Sequence, residues 1–577
     1  MRFPISWRTP STWRLFRSDD RLLMIFSGAV VGVCSGLAAV VLSRSLVAML
    51  AWLAPYRQSG WAFLLPALGA ALSSLFLNKV VKEGAGHGVP EVIYSVSRYG
   101  GLLRLRSSFS RLISSFLTIG SGGSAGPEAP VVMSGSAIGS NIARLFNLND
   151  RQRVVLVGCG AAGAISAIFN APIAGMVFAV EVILGEWAAA NLIPIAIAAV
   201  AGTQTSHFLL GKQIPFAHRQ FDIAPIDILA CIGLALFTAA ASILLTRAIR
   251  AVHHRANRLR VPVWLKAALG GCAVGLIGLY MPLVLGEGYH AIETMIAGHF
   301  TTGIALVFLA CLAKILATAL TLGSGGSGGI FAPCLVIGSF TGLAYHRLLD
   351  FIWPQAGWVP EGCFALLGMA GLVSGILQAP LTGIFLIVDV TGGYDVILPL
   401  IVVSAVSTTL CHYMEPASFY LKDLVERGQL MRPGTDARVL ADLEVHELLE
   451  TDCVTVPADM LLRDFVEVVK RSRRNLFPVE DEASGKFVGL IDMAGVRPYL
   501  FDPLMYDAVL VGQLMDTQVE TAAPDEDVAE VLSRMDAANL YNMPVVANHR
   551  FVGMVSKSSL LDQYRNELMV QTHHLNR

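Results

Sequence analysis

Glu128 stands in a glycine-rich segment that this 577-residue chain writes twice. Gly120 to Pro130 reads GSGGSAGPEAP and Gly323 to Pro333 reads GSGGSGGIFAP, identical at eight of eleven positions. A carboxylate inside apolar membrane sequence is costly and marks a functional site by default. Backbone amides at the start of a helix offer an anion hydrogen bonds and partial positive charge in place of its hydration. Each GSGGS loop runs straight into an apolar segment, from Pro130 and from Pro333, so both sets of amides are expected to face one buried spot. The chemistry that suits this pattern is ion movement.

The elements that must hold these loops are also duplicated. Ala171-Pro172-Ile173-Ala174-Gly175 leads to Val180-Glu181-Val182, and Ala379-Pro380-Leu381-Thr382-Gly383 leads to Val388-Asp389-Val390. Glycine-interrupted hydrophobic segments at matching places in two halves point to a transport site between inverted repeats. Apolar runs fill residues 22 to 413, among them Leu22–Leu53, Val154–Leu184, Ile223–Leu245, Gly303–Leu322 and Phe364–Val390. Several are long enough to span a bilayer, which takes about 20 residues. Broken helices are tolerated in lipid only where the freed backbone is buried or lines a cavity, so the two breaks should meet near mid-membrane.

Composition excludes a soluble protein: 54% of residues are hydrophobic and 15% charged, and 54 glycines suit close helix packing in lipid. The net charge of −1 hides an uneven distribution, with most acidic residues after position 420. Nothing points to nucleic-acid binding, and the nine scattered cysteines show neither metal-ligand spacing nor a disulfide framework. Arg2, Arg8, Arg14 and Arg17 precede the first apolar run without the pattern of a secretory signal. With the basic stretches Arg98–Arg111 and Arg247–Lys266, they are expected on the cytoplasmic side.

After Met431-Arg432-Pro433-Gly434 the character changes to short strand-like runs alternating with amphipathic helical patterns. Phe477-Pro478-Val479 and Phe487-Val488-Gly489-Leu490-Ile491 are matched by Met543-Pro544-Val545-Val546 and Phe551-Val552-Gly553-Met554-Val555. This tandem α/β unit resembles a pair of CBS modules, expected at 436–505 and 509–570.

Four motifs make residues 22 to 430 resemble the CLC family of chloride channels and chloride/proton antiporters. They are Gly86-His87-Gly88-Val89-Pro90-Glu91, Gly126-Pro127-Glu128-Ala129-Pro130, Gly329-Ile330-Phe331-Ala332-Pro333 and Ser418-Phe419-Tyr420, in the family's order. The resemblance implies an all-α polytopic membrane domain of two inverted-topology repeats with broken helices (about 22–222 and 223–430). Residues 1–21 then form a cytoplasmic N-terminus, and an α/β cytoplasmic CBS pair follows. It further implies a multi-pass protein of the cell membrane, a homodimer with one chloride pore per subunit, no enzymatic activity, no metal and no cofactor. Glu128 becomes the gating carboxylate. His87, Gly88, Glu128, Ala129, the amides of Ile330 and Phe331, and the Tyr420 hydroxyl become the chloride-binding set.

Three departures from the family pattern bear on mechanism. His87 replaces a serine and either donates to an anion or turns away and packs. Pro127 and Ala129 replace a basic residue and a glycine in the gating loop. Val182 stands where antiporters often place an internal proton-transfer glutamate, and valine carries no proton. That departure favours a gated channel, with proton-coupled exchange as the alternative; Glu181 and its repeat partner Asp389 are expected to be structural. In the CBS pair, Gly495 and Ser559 replace the ribose-binding aspartate, which leaves a dimerising scaffold and an adenine-nucleotide sensor both open. Gly325-Gly326-Ser327-Gly328 also matches the GxSG of intramembrane serine proteases, but that reading needs a histidine within reach of Ser327 and leaves the second loop unexplained. A divalent-cation transporter would need oxygen ligands facing the pore, where helix N-termini have the wrong sign. The retained Tyr420 disfavours a fluoride-specific protein.

Overall fold

A computed structural model describes residues 20–83, 88–211, 216, 221–426, 440 and 443–565. The chain forms two compact units, Met1–Leu430 and Met431–Arg577.

The first unit is helical and its helices come in matched order. The first half comprises α1 (Asp20–Leu53), α2 (Leu64–Leu75), α3 (Val89–Arg98), α4 (Ser107–Gly120), α5 (Glu128–Leu145), α6 (Asp150–Phe169), α7 (Pro172–Phe178) and α8 (Ala189–Leu210). The second comprises α9 (Pro225–Arg258), α10 (Val263–Tyr280), α11 (Tyr289–Ile296), α12 (Ile304–Gly323), α13 (Phe331–Ile352), α14 (Glu361–Leu377), α15 (Pro380–Thr391) and α16 (Ile397–Met414), followed by the short α17 (Lys422–Glu426). The breaks follow from local chemistry. Pro172 and Pro380 each sit in the first helical turn, where a missing N–H costs nothing. Among the described residues, eight helices are long and apolar enough to cross a membrane. Large apolar side chains such as Leu229, Leu236, Phe308 and Leu398 stay on the outside, the surface expected to meet lipid.

Glycine sets the closest helix crossings. A Cβ on Gly135 of α5 would lie 2.2 Å from the Gly160 carbonyl of α6, and one on Gly160 would lie 2.0 Å from the Gly135 carbonyl. The second half repeats this with Gly338 of α13 and Gly368 of α14, at 2.5 and 2.2 Å. Small residues allow this approach of backbones in lipid.

The second unit is two copies of a small α/β motif. Strand β1 (Val456–Pro457) pairs parallel with β2 (Leu476–Glu480), which pairs antiparallel with β3 (Phe487–Asp492); α18 (Leu462–Arg471) lies between β1 and β2 in sequence, and α19 (Met493–Val496) follows β3. In the second copy α20 (Val528–Ala537) precedes the antiparallel pair β4 (Asn542–Ala547) and β5 (Arg550–Ser556), while Ala522 pairs parallel with Val545 as Val456 does with Val479. Leu462, Phe465, Phe477, Val479 and Ile491 form the first core; Val528, Val531, Met543, Val545 and Val555 form the second.

Candidate anion-transport site

The two glycine loops meet across the repeat axis. Gly122 and Gly325 turn the chain at φ of +113° and +108°, conformations that favour glycine. Each loop is then braced by the other half: the Ser124 amide donates to Thr321 Oγ1 at 3.0 Å and the Ser327 amide to Thr118 Oγ1 at 3.2 Å. The Ser327 hydroxyl bonds Ser114 at 2.8 Å and Ser115 at 3.1 Å. Its partners are hydroxyls rather than a histidine, which is structural bracing and gives the protease reading no support. Gly126 and Gly329 close the arrangement with a reciprocal pair of backbone bonds of 2.9 and 2.7 Å.

That bracing fixes the starts of α5 and α13. Glu128 is the first residue of α5 and is fully buried. The Tyr289 hydroxyl, at the start of α11, donates to Glu128 Oε1 at 2.6 Å, whereas Oε2 has no hydrogen-bond partner. Ala129 is buried, and its amide lies 3.0 Å from where a Gly329 side chain would begin. Ile330 caps α13, Phe331 opens it, and both are buried. The Phe331 ring packs on Phe178 and Phe169, with centroids 5.5 and 6.0 Å apart. Tyr420 is buried and its hydroxyl is also without a partner; it lies within electrostatic reach of Cys334 and Glu128. A buried orphan hydroxyl is an unmade hydrogen bond awaiting an acceptor. Gly88 caps α3 at φ +87°, and a side chain there would run into the Ala129 carbonyl and Met133 of α5. His87 lies outside the described residues.

Glu181 and Asp389 are reciprocal helix caps. Glu181 accepts from the amides of Leu381 and Thr382 at 3.2 and 2.7 Å and from Thr382 Oγ1 at 2.7 Å, at the start of α15. Asp389 accepts from the amides of Ile173 and Ala174 at 2.8 and 3.1 Å, at the start of α7. Each half thus satisfies the orphan amides of the other. Val182 is half-buried beside Glu181 in a π-helical turn, Ala179–Leu184, that continues α7.

Sequence reasoning missed three residues on this side of the site: Tyr289, which bonds Glu128, and Glu287 and Lys314, which belong to the same loop and its anchor. The signal was present. Gly286-Glu287-Gly288 stands 200 positions after Gly86-His87-Gly88, and Lys314 precedes Gly323 by nine residues as Arg111 precedes Gly120. Lys314 is fully buried and its ammonium donates to the carbonyls of Val284 and Gly286 at 3.0 and 2.9 Å.

In the second unit, the Ser559 hydroxyl is engaged by Ser556 and by the Leu448 carbonyl. An open cleft of about 550 Å³ is lined by Glu444, His446, Asp525 and Asn548, among others.

Residues 69–412 match the family model described as voltage gated chloride channel, and residues 511–566 match the CBS domain model. The chain is 31% identical over 417 residues to a putative chloride channel protein ClcB-like of Ralstonia nicotianae, covering 70% of this chain and 96% of that one. It is 30% identical over 421 residues to an H(+)/Cl(−) exchange transporter ClcA of Yersinia pestis, covering 70% of this chain and 87% of that one. Its fold is shared with a slow cyanobacterial Cl−/H+ antiporter (TM-score 0.63, 24% identity, 71% of this chain and 98% of that one). It is also shared with a eukaryotic CLC transporter (TM-score 0.62, 16% identity, 95% and 99%). The chain belongs to the CLC family of chloride channels and chloride/proton antiporters, a membrane domain of two inverted repeats followed by a CBS pair.

Proposed function

We propose that this protein exchanges chloride for protons across the membrane, with Glu128 alternating between an ionised form that occupies the anion path and a protonated form that leaves it. One observation carries this reading. Glu128 is a fully buried carboxylate at the junction of two helix N-termini, held through one oxygen only. A titratable group placed where an anion would sit makes anion passage and proton binding alternatives to each other, which is the elementary requirement for coupling. The amides of Ile330, Phe331 and Ala129, Gly88 and the Tyr420 hydroxyl form the proposed anion-binding set; His87 belongs to it by its motif alone.

Val182 put a gated channel first in the sequence reading. The exchange reading has the better support: curated relatives named as exchangers cover most of the membrane domain, and coupling needs an inner proton route, not one particular glutamate. The proposal extends to a homodimer in the cell membrane with the N-terminus, the Arg98–Arg111 and Arg247–Lys266 stretches and the CBS pair on the cytoplasmic side. For the CBS pair a scaffold role is favoured over nucleotide binding. Ser559 is engaged internally, and the carboxylates of Glu444 and Asp525 in the cleft have the wrong sign for phosphate.

Chloride flux from liposomes holding the full chain, recorded together with internal pH, tests the reading. Wild type is expected to drive protons uphill on a chloride gradient. Glu128→Ala is expected to pass chloride without protons. Chloride flux in wild type with no proton movement would return the channel.

A further inference from the structure

Resting on that exchange reading, we infer that Glu287 is a second proton-transfer carboxylate, which loads Glu128 from the membrane face opposite the basic Arg247–Lys266 stretch. α10 leads away from that stretch, and the loop Met281–Gly288 follows its far end. Lys314 lies midway along the 20-residue α12, yet its ammonium holds the carbonyls of Val284 and Gly286. The loop therefore dips toward mid-membrane, and the two carbonyls held just before Glu287 fix where the backbone enters that residue.

The loop ends on the gating residue. Tyr289, two residues past Glu287, donates its hydroxyl to Glu128 Oε1 at 2.6 Å. Gly288 between them has φ +88°, and a side chain there would strike Val336 at 2.9 Å and approach the Lys314 ammonium at 3.4 Å. Glycine is thus required for the loop to fit between α12 and α13. Glu128 is fully buried whereas Glu287 is partly exposed. A proton bound for Glu128 from this side meets Glu287 first.

The charged and titratable groups around Glu287 complete the case. It lies within electrostatic reach of Glu128 on α5 and Lys314 on α12, and Tyr289 lies within reach of both carboxylates. His290, the next residue, is exposed beside Glu293 and turned to the surface. A carboxylate can carry a proton to a second carboxylate, and the buried Lys314 ammonium, held to the Val284 and Gly286 carbonyls just before Glu287, offsets one negative charge beside the loop. The step is a simple transfer. The carboxyl O–H of Glu287 breaks, a new O–H forms on Glu128 Oε2, the oxygen without a partner, and the negative charge returns to Glu287. Tyr289 keeps Oε1 in place as a positioning residue.

The test is coupled exchange by the full-length protein in liposomes, comparing wild type, Glu287→Gln and Glu287→Asp, with pH varied on both sides. Glu287→Gln is expected to slow chloride-driven proton movement about tenfold or more, the range a positioned proton-transfer group contributes, and to flatten its pH dependence; Glu287→Asp is expected to restore most of the rate. Wild-type coupling with Glu287→Gln at the wild-type rate and pH profile overturns the inference and leaves the exchange reading standing. So does an equal loss of chloride flux when Glu287→Gln is added to Glu128→Gln, because proton loading cannot matter where Glu128 cannot titrate. A wild type that moves chloride without protons overturns the exchange reading itself, and this inference with it.

Discussion

Gly126 and Gly329 each donate a backbone amide to the other's carbonyl, at 2.9 and 2.7 Å, so the glycine-rich loop before Glu128 is hydrogen-bonded to the equivalent loop of the other half. These residues are 203 positions apart and occupy the same place in the duplicated motif. The bond pair ties the start of α5 to the start of α13, so Glu128 and the Ile330–Phe331 amides share one rigid frame. A loop that moved alone would break bonds in both halves, so the movement of Glu128 in the proposed exchange falls to its side chain.

Gly126→Ala tests that frame at its tightest point. A Cβ there would lie 2.0 Å from Glu128 Oε2 and 2.9 Å from the Ala332 Cβ. The first contact is with the end of a side chain, which can move away; the second is with the fixed start of α13. The variant is expected to expel the Glu128 carboxylate from its resting place, raising chloride flux and lowering the protons carried per chloride. Paired flux and pH recordings in liposomes check both.

How much of this was legible in the sequence depends on whether a feature is written twice. The paired glycine loops, the Ala-Pro helix starts and the CBS repeat can be read because the chain repeats them. Glu181 and Asp389 were legible as structural for the same reason, although which amides they cap needed the fold. Glu287, Tyr289 and Lys314 were not recognised. The duplicated Gly-x-Gly carries His87 in one copy and Glu287 in the other, and the helix equivalent carries Arg111 and Lys314. When the residue types differ between copies, matching offsets mark equivalent places but only the fold shows what the residues touch. Tyr289 meets Glu128 across 161 positions of chain, a contact no local pattern carries.

The reciprocal caps predict a stability effect separable from transport. Asp389→Ala leaves the amides of Ile173 and Ala174 without their acceptor. Loss of an N-terminal cap costs about 0.5–2 kcal/mol. Thermal unfolding in detergent is expected to shift down for Asp389→Ala and less for Asp389→Asn, with the ratio of protons to chloride unchanged. A changed ratio would place Asp389 in the transport path instead.

Helix contact through glycine predicts a sharp positional contrast. Gly338→Ala puts a methyl group 2.5 Å from the Gly368 carbonyl, which cannot turn aside as a side chain can. Overpacking of this kind costs about 1–3 kcal/mol. Gly303→Ala, where a Cβ meets nothing within 4 Å, is expected to leave the unfolding midpoint in place. Equal midpoints for both variants would mean that α13 and α14 separate easily.

In the second unit Phe465 and Phe477 pack edge to face with centroids 5.1 Å apart, both fully buried. Phe465→Ala removes one of the two largest fillers of the first module's core, and phenylalanine-to-alanine changes in cores cost about 3–5 kcal/mol. Limited proteolysis of the full chain is expected to cut first within residues 456–496 in this variant. The Asp452–Arg474 pair offers the contrast: Arg474 holds the exposed Asp452 carboxyl below its usual range, yet Asp452→Asn is expected to leave the digestion pattern unchanged because exposed ion pairs contribute little.

Val182 decides what the inner proton route is made of. Valine binds no proton, so coupled exchange in wild type implies that protons reach Glu128 from the inner side without a side-chain carrier at this position. Val182 is half-buried in the π-helical turn beside Glu181. Both Glu181 oxygens are occupied by the start of α15, so Glu181 is poorly placed to take over. Val182 is not sealed within the core, so a longer side chain has room at this turn. Val182→Glu is therefore expected to raise the proton flux at a given chloride gradient by about tenfold, at the low end of what a positioned proton-transfer group supplies. Val182→Gln, of matching size and polarity but unable to titrate, is expected to give no gain. Proton uptake driven by chloride in liposomes separates the two. A gain in both variants would mean that polarity at this turn admits water and that water carries the proton; a gain in neither would place the slow step elsewhere, at the Glu128 side of the path.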